Sequence, residues 1–219
     1  TAVYIVTPDV TDPAVAGRLR DFGTAAVGAG VSRATLLSVP LTGGEPAATI
    51  AAEEALANTG LEVTIVRLRW FNQNFSEDFL APAVAAGDLR LPAGEGREAF
   101  VDAAVVAATL TDPAHAGRSY ELTGPRLLSF AEVADELSHA TGRVITYTPL
   151  TAEQYIREQV AAGVPQDWAT LSAGLYQGIT DHALETTTTD VERVIGRPAT
   201  DFATYARATA SAGVWQDPS

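Results

Sequence analysis

The chain has 219 residues, of which 47% are hydrophobic, enough apolar material for a full core and too much for a disordered segment. Its formal net charge is −13, so the clustered cations of a nucleic-acid footprint are missing. All 14 basic residues are arginine; with neither Lys nor Cys in the chain, a lysine Schiff base, a Tyr-x-x-x-Lys dyad, a thiolate nucleophile and a zinc–thiolate site are excluded.

The first third alternates strand and helix. Residues 2–6 (AVYIV) are an unbroken, β-branched apolar run, as expected of a parallel strand covered on both faces. Over residues 12–29, Val15, Leu19, Phe22, Ala26 and Ala29 recur at three- and four-residue steps and predict a helix, with Gly30 placed to close it. A second strand (34–39), a second helix (47–58) and a third strand (63–68) follow at short spacing. Such βαβ units require right-handed crossovers and a parallel sheet, which makes this an α/β protein.

From Phe75 onward loops lengthen and helices dominate. Residues 100–102 read as extended, 103–110 as an alanine-rich helix and 119–122 (SYEL) as a strand. Ser129 is a capping residue for a helix that ends near Gly142. Residues 145–148 are extended, and 151–162, 167–180 and 203–212 are helical. The expected organisation is a parallel-sheet domain over 1–75 and a mixed, mostly helical C-terminal lobe over 76–219, with 100–124 returning to the sheet. No run reaches the roughly 18–20 apolar residues of a membrane span, and no signal-peptide pattern stands at the start, so no membrane partner and a cytoplasmic location are expected.

Ligands of open α/β sheets bind beyond the carboxyl ends of the strands. That rule selects Thr7-Pro8-Asp9, Ser38-Val39-Pro40 and the segment 67–74 (RLRWFNQN). Each of the first two is also what an ordinary strand-ending turn looks like. The third places Trp70, Phe71 and Phe75 among Arg67, Arg69, Asn72, Gln73 and Asn74. These are the ingredients of an apolar pocket with a few orienting polar groups, or of a loop whose aromatics plug the core. Glu53 and Glu54 read as a solvated helix face, His115 as a surface loop residue, His139 as a partner of its helix dipole and Asp102 as a helix N-cap. The three scattered histidines give no metal site.

The ordered set AVYIVTP, GAGVSRATLLSV and AAEEALANTGLEVTIVRLRWFNQNF, then FVDA, AGRSYELTGPRLLSFAEVADELSHATGR and ERVIGRP, resembles the NmrA-like branch of the atypical short-chain dehydrogenase/reductases. It is most similar to bacterial proteins grouped with the ergot-alkaloid iminium reductases. The resemblance implies a Rossmann domain that binds NADP(H) or NAD(H), NADP being favoured, under a C-terminal lobe that covers a small-molecule substrate. It implies that Thr7, Pro8, Ser38, Val39, Arg67 and Leu68 line the cofactor and that Trp70, Phe71 and Asn74 line the substrate pocket. No catalytic residue is assigned, and a homodimer is left open.

The chain departs from the family pattern in three places. The N-terminal βαβαβ with its glycine-rich phosphate loop is absent from these residues. Thr49 stands where some relatives carry Lys or His, which favours an acceptor, such as an iminium, that needs no proton at the accepting carbon. Between Ala103 and Ala104 an acidic stretch of about four residues is missing relative to the family pattern. The first and third departures carry the expectation that the intact protein is heavier than these residues. Three readings stand: an NAD(P)H-dependent reductase acting on a quinone, iminium or activated carbonyl; a non-catalytic NAD(P)-sensing regulator; or a truncated interaction protein without cofactor.

Overall fold

The structure, a computed structural model, describes residues 1–7, 9–41, 46–183 and 185–216. In chain order its regular elements are β1 (Ala2–Ile5), α1 (Val15–Gly28), β2 (Arg33–Ser38), α2 (Pro46–Ala57), β3 (Glu62–Arg67), α3 (Ala81–Ala86), β4 (Asp88–Leu91) and β5 (Arg97–Glu98). They continue with α4 (Ala104–Thr111), β6 (Ser119–Glu121), β7 (Leu128–Ser129), α5 (Phe130–Thr141), β8 (Thr146–Pro149), α6 (Ala152–Ala161), α7 (Gln166–Thr180), α8 (Asp190–Ile195) and α9 (Phe202–Ser211). Among the described residues no helix is long and apolar enough to cross a membrane.

The chain divides into two units, Thr1–Arg69 with Ala103–Thr123 and Thr188–Ala199, and Trp70–Asp102 with Gly124–Thr187 and Thr200–Ser219. The first segment of the first unit ends at Arg69. The reason is bulk: Trp70 and Phe75 are large apolar side chains that bury in the second unit's core. Segments 103–123 and 188–199 complete the first unit.

The first unit holds a wholly parallel four-stranded sheet in the order β1-β2-β3-β6. Helical crossovers from β1 to β2 and from β2 to β3 make these neighbours parallel, because a parallel neighbour can be reached only by crossing the sheet face. Its core is made by Val15, Leu19 and Ala26 of α1, Ala52 and Leu56 of α2, and Ala34, Leu36 and Val63 of the strands. A Rossmann-like parallel sheet, as the sequence suggested, is what forms.

The second unit is mostly helical, with a two-stranded parallel pair β4-β8 and an antiparallel pair β5-β7. Its centre is aromatic. Phe75 meets Phe100 and Phe202 edge-on at centroid separations of 5.2 and 5.1 Å, a geometry that sets the positive ring edge against the negative face. Helix α5 begins in a capping box: Ser129 Oγ accepts the Glu132 amide at 3.2 Å, and Glu132 Oε2 accepts the Ser129 amide at 2.8 Å. It ends at Gly142, whose φ of 69° lies in the left-handed region that a Cβ disfavours.

Candidate functional site

In a parallel sheet all strands point the same way, so the carboxyl ends of β1, β2 and β3 share one edge of the first unit. Thr7 follows β1 there, and its Oγ1 is buried with no hydrogen-bond partner among the described residues. Pro8 lies outside the described residues. Ser38 ends β2 and Arg67 ends β3. The two are Cα partners in the ladder, so their side chains rise from the same face of the sheet.

Over that face lies Glu53 of α2, only 4% exposed. Its Oε1 accepts the Ser38 hydroxyl at 2.6 Å and Arg67 Nε at 3.0 Å, and its Oε2 accepts Arg67 Nη2 at 2.6 Å. The expectation of a solvated Glu53–Glu54 face is therefore corrected for Glu53, while Glu54 is exposed. Thr49, Ala52, Glu53 and Leu56 form the buried side of α2, so Glu53 had no route to water. A buried carboxylate is tolerated only when paired and hydrogen-bonded, and Arg67 and Ser38 supply both. The signal in the sequence was an acidic residue on an otherwise apolar helical stripe, with an arginine closing the next strand.

The other expected members of this edge are mostly interior. Val39 packs against the first unit's core. Leu68 is buried, and its amide donates to Ser38 O at 3.2 Å, extending the ladder one residue past the strands. Thr49 is also buried. His115, expected at the surface, is buried as well: its Nδ1 lies 2.9 Å from the Tyr120 hydroxyl, and its carbonyl accepts Thr64 Oγ1 at 2.8 Å. Thr64 alternates with Ile65 and Arg67, so this contact is on the opposite sheet face from Glu53.

In the second unit, Trp70 is 4% exposed, with ring centroids of Tyr176 at 5.0 Å, Phe79 at 5.8 Å and Phe130 at 6.0 Å. It occupies the core-plug position that the aromatic segment allowed. Phe71 and Asn74 are brought together: Asn74 Oδ1 accepts the Phe71 amide at 2.7 Å, and Asn74 Nδ2 donates to Asp78 Oδ2 at 3.2 Å. That amide is committed to the turn. Its neighbour Asn72 is 0% exposed, and neither Oδ1 nor Nδ2 has a partner among the described residues. Gln73 Nε2 donates to Asp102 Oδ1 at 3.2 Å. Among the described residues no cluster of His, Asp and Glu could hold a metal ion.

The two units thus present different chemistry. The first offers a free hydroxyl, Thr7, and a fork of guanidinium, carboxylate and hydroxyl at adjacent strand ends. The second offers aromatic surface and amides.

No protein-family model matches the chain. Curated relatives do. The NAD(P)H azoreductase of Xenophilus azovorans is 35% identical over 165 residues, 73% of this chain and 57% of the relative. The agroclavine dehydrogenase of Claviceps fusiformis is 29% identical over 215 residues, 94% of this chain and 73% of the relative. Quinone oxidoreductase 2 of Escherichia coli is 29% identical over 161 residues, 70% of this chain and 55% of the relative. The chain therefore spans little more than half the length of the azoreductase and the quinone oxidoreductase. Among solved structures, the Citrobacter sp. triphenylmethane reductase complexed with NADP(H) aligns with a TM-score of 0.77 at 24% identity, over 96% of this chain and 76% of that one. The negative transcriptional regulator NmrA in complex with NAD aligns with a TM-score of 0.65 at 17% identity, over 97% and 74%.

Proposed function

We propose that this chain, whose relatives and structural neighbours bear out the resemblance to the NmrA-like atypical short-chain dehydrogenase/reductases, carries part of the cofactor and substrate site of an NAD(P)H-dependent oxidoreductase. The observation that carries the reading is the edge formed by Thr7, Ser38 and Arg67 at the carboxyl ends of three adjacent parallel strands. Such edges are where α/β folds bind dinucleotides. The buried Thr7 hydroxyl, without a partner among the described residues, supports a ligand there, since such a hydroxyl costs about 1–3 kcal/mol unless something completes it.

The residues present fit a dinucleotide. Of the residues expected to line the cofactor, Thr7, Ser38 and Arg67 stand at the strand ends and would hold it. When bound, NAD(P)H supplies the hydride; the protein positions the reactants. The chain brings neither a lysine nor a cysteine to this task. Ser38 donates its hydroxyl proton inward to Glu53, so no side chain of the fork is poised to protonate the acceptor. An acceptor activated before it binds fits that arrangement: an iminium, or a quinone or azo compound that takes its proton from water. A small-molecule substrate agrees with the names of the relatives.

The test is an NADPH titration of the purified full chain, followed by steady-state NADPH oxidation with quinone, azo and iminium acceptors. Binding with turnover supports the reductase. Binding without turnover moves the assignment to an NAD(P)-sensing regulator, and absence of binding rejects both.

A further inference from the structure

Arg67 is a cation at the strand-end edge, and Glu53 is its partner among the described residues. Its guanidinium meets Glu53 side-on, using Nε and one hydrogen of Nη2. A guanidinium has five N–H donors in a rigid plane. The two hydrogens of Nη1 therefore point away from Glu53, and no partner for them exists among the described residues. The Arg67 side chain keeps 20% of its surface exposed, against 5% for Glu53. Glu53 is thus spent inward, while Arg67 retains an outward edge.

From this we infer that Glu53 is a positioning residue that turns Arg67 into a charge-compensated hydrogen-bond fork, which takes an uncharged oxygen of the ligand and not a phosphate. Three observations support it. The contact uses both carboxylate oxygens, which fixes the plane of the guanidinium as a single hydrogen bond could not. The Ser38 hydroxyl adds a third bond that locks the carboxylate rotamer. A carboxylate at this distance also cancels most of the cation's field beyond the pair, so the outward edge attracts an anion little more than a neutral carbonyl or hydroxyl. Carbonyl, carboxamide and sugar hydroxyl oxygens are the ligand chemistries that suit it. The inference rests on the dinucleotide reading and narrows what Arg67 does within it.

The experiment is a double-mutant cycle in NADPH affinity, measured by calorimetry at low and at high salt on the full chain. Arg67→Met should weaken NADPH binding by about tenfold, the worth of one good fork. The loss should be equal at both salt concentrations. Glu53→Gln should weaken binding in the native background and have no further effect on top of Arg67→Met. A loss for Arg67→Met that fades at high salt would mean a free cation clamping phosphate, and would overturn the inference. So would equal effects of Glu53→Gln in both backgrounds, which mark a merely structural carboxylate. Should Glu53→Gln not fold, Glu53→Asp, which keeps the charge opposite Arg67, takes its place in the cycle. Failure of the wild-type chain to bind NADPH at all is distinguishable, because it removes the dinucleotide reading itself and this inference with it.

Discussion

Asp190 completes the backbone of Glu121: its Oδ2 accepts the Glu121 amide at 2.9 Å. The Thr188 hydroxyl donates to the carbonyl of the same residue, and the Thr188 amide donates to Thr123 Oγ1 at 2.9 Å. Strand β6 pairs with β3 on one side, and on its other side these side chains stand in for a neighbouring strand. An edge finished in this way is no template for another chain. Asp190→Ala should therefore cost about 1–2 kcal/mol, read as a lowered urea midpoint. An unchanged midpoint would show that water serves the edge equally well.

Gly124 is a close-approach position. A Cβ built there would stand 2.1 Å from the carbonyl oxygen of Phe100, which is backbone and cannot swing aside. Gly124→Ala should destabilise by more than about 2 kcal/mol. Gly17, inside α1, has open space around the same atom, and Gly17→Ala should stabilise by about 0.5–1 kcal/mol. Thermal melts of the two variants should move in opposite directions, and a matching shift in sign would contradict the geometry.

Asn72 should be a stability liability. With both amide atoms buried and without a partner among the described residues, Asn72→Leu is expected to raise the melting temperature, since removing two such polar atoms recovers about 1–3 kcal/mol. A fall in melting temperature would mean that the amide has a partner, such as a buried water.

Acid should weaken the second unit through Asp201. This residue caps α9 by accepting the Ala203 amide at 3.0 Å, and it holds Arg126 Nε at 2.6 Å. The bond from Arg126 holds the Asp201 carboxyl below the usual carboxylate range, outweighing the opposing effect of burial. A lowered folded-state value stabilises the fold above the unfolded value of about 3.9 and loses that stability as pH falls through the lowered value. The pair is partly exposed, so the contribution is about 0.5–1 kcal/mol. Asp201→Asn should flatten the acid limb of stability against pH; an acid limb identical to wild type would remove Asp201 from its cause.

Much of this was legible in local pattern. The strands 2–6, 34–39 and 63–68 and the helices between them were readable because β-branched runs and three- and four-residue apolar steps are short-range signals. The same holds for α5, where Ser129 and Gly142 mark the two ends. The elements that escaped are those whose stability is not local. Strand β4 (DLRL) carries two charges in four residues and exists because β8 pairs with it. Strands β5 and β7 have two residues each. Helix α8 is a six-residue helix that carries two acidic residues in its first turn.

The site divides along the same line. The expectation of a ligand near Thr7, Ser38 and Arg67 came from the sequence, because a βαβ pattern forces a parallel sheet and a parallel sheet has one carboxyl edge. The absence of lysine and cysteine side chains from these 219 residues was plain from composition alone. Only the tertiary structure decided that Glu53 faces Arg67 while Glu54 faces water, that His115 is interior, and that Trp70 is core. Each of these depends on which side of an element the fold covers, and that is settled by partners far away in the chain. A one-residue step around α2 separates a buried ion pair from a solvated carboxylate, and periodicity without a known packing face cannot tell the two apart.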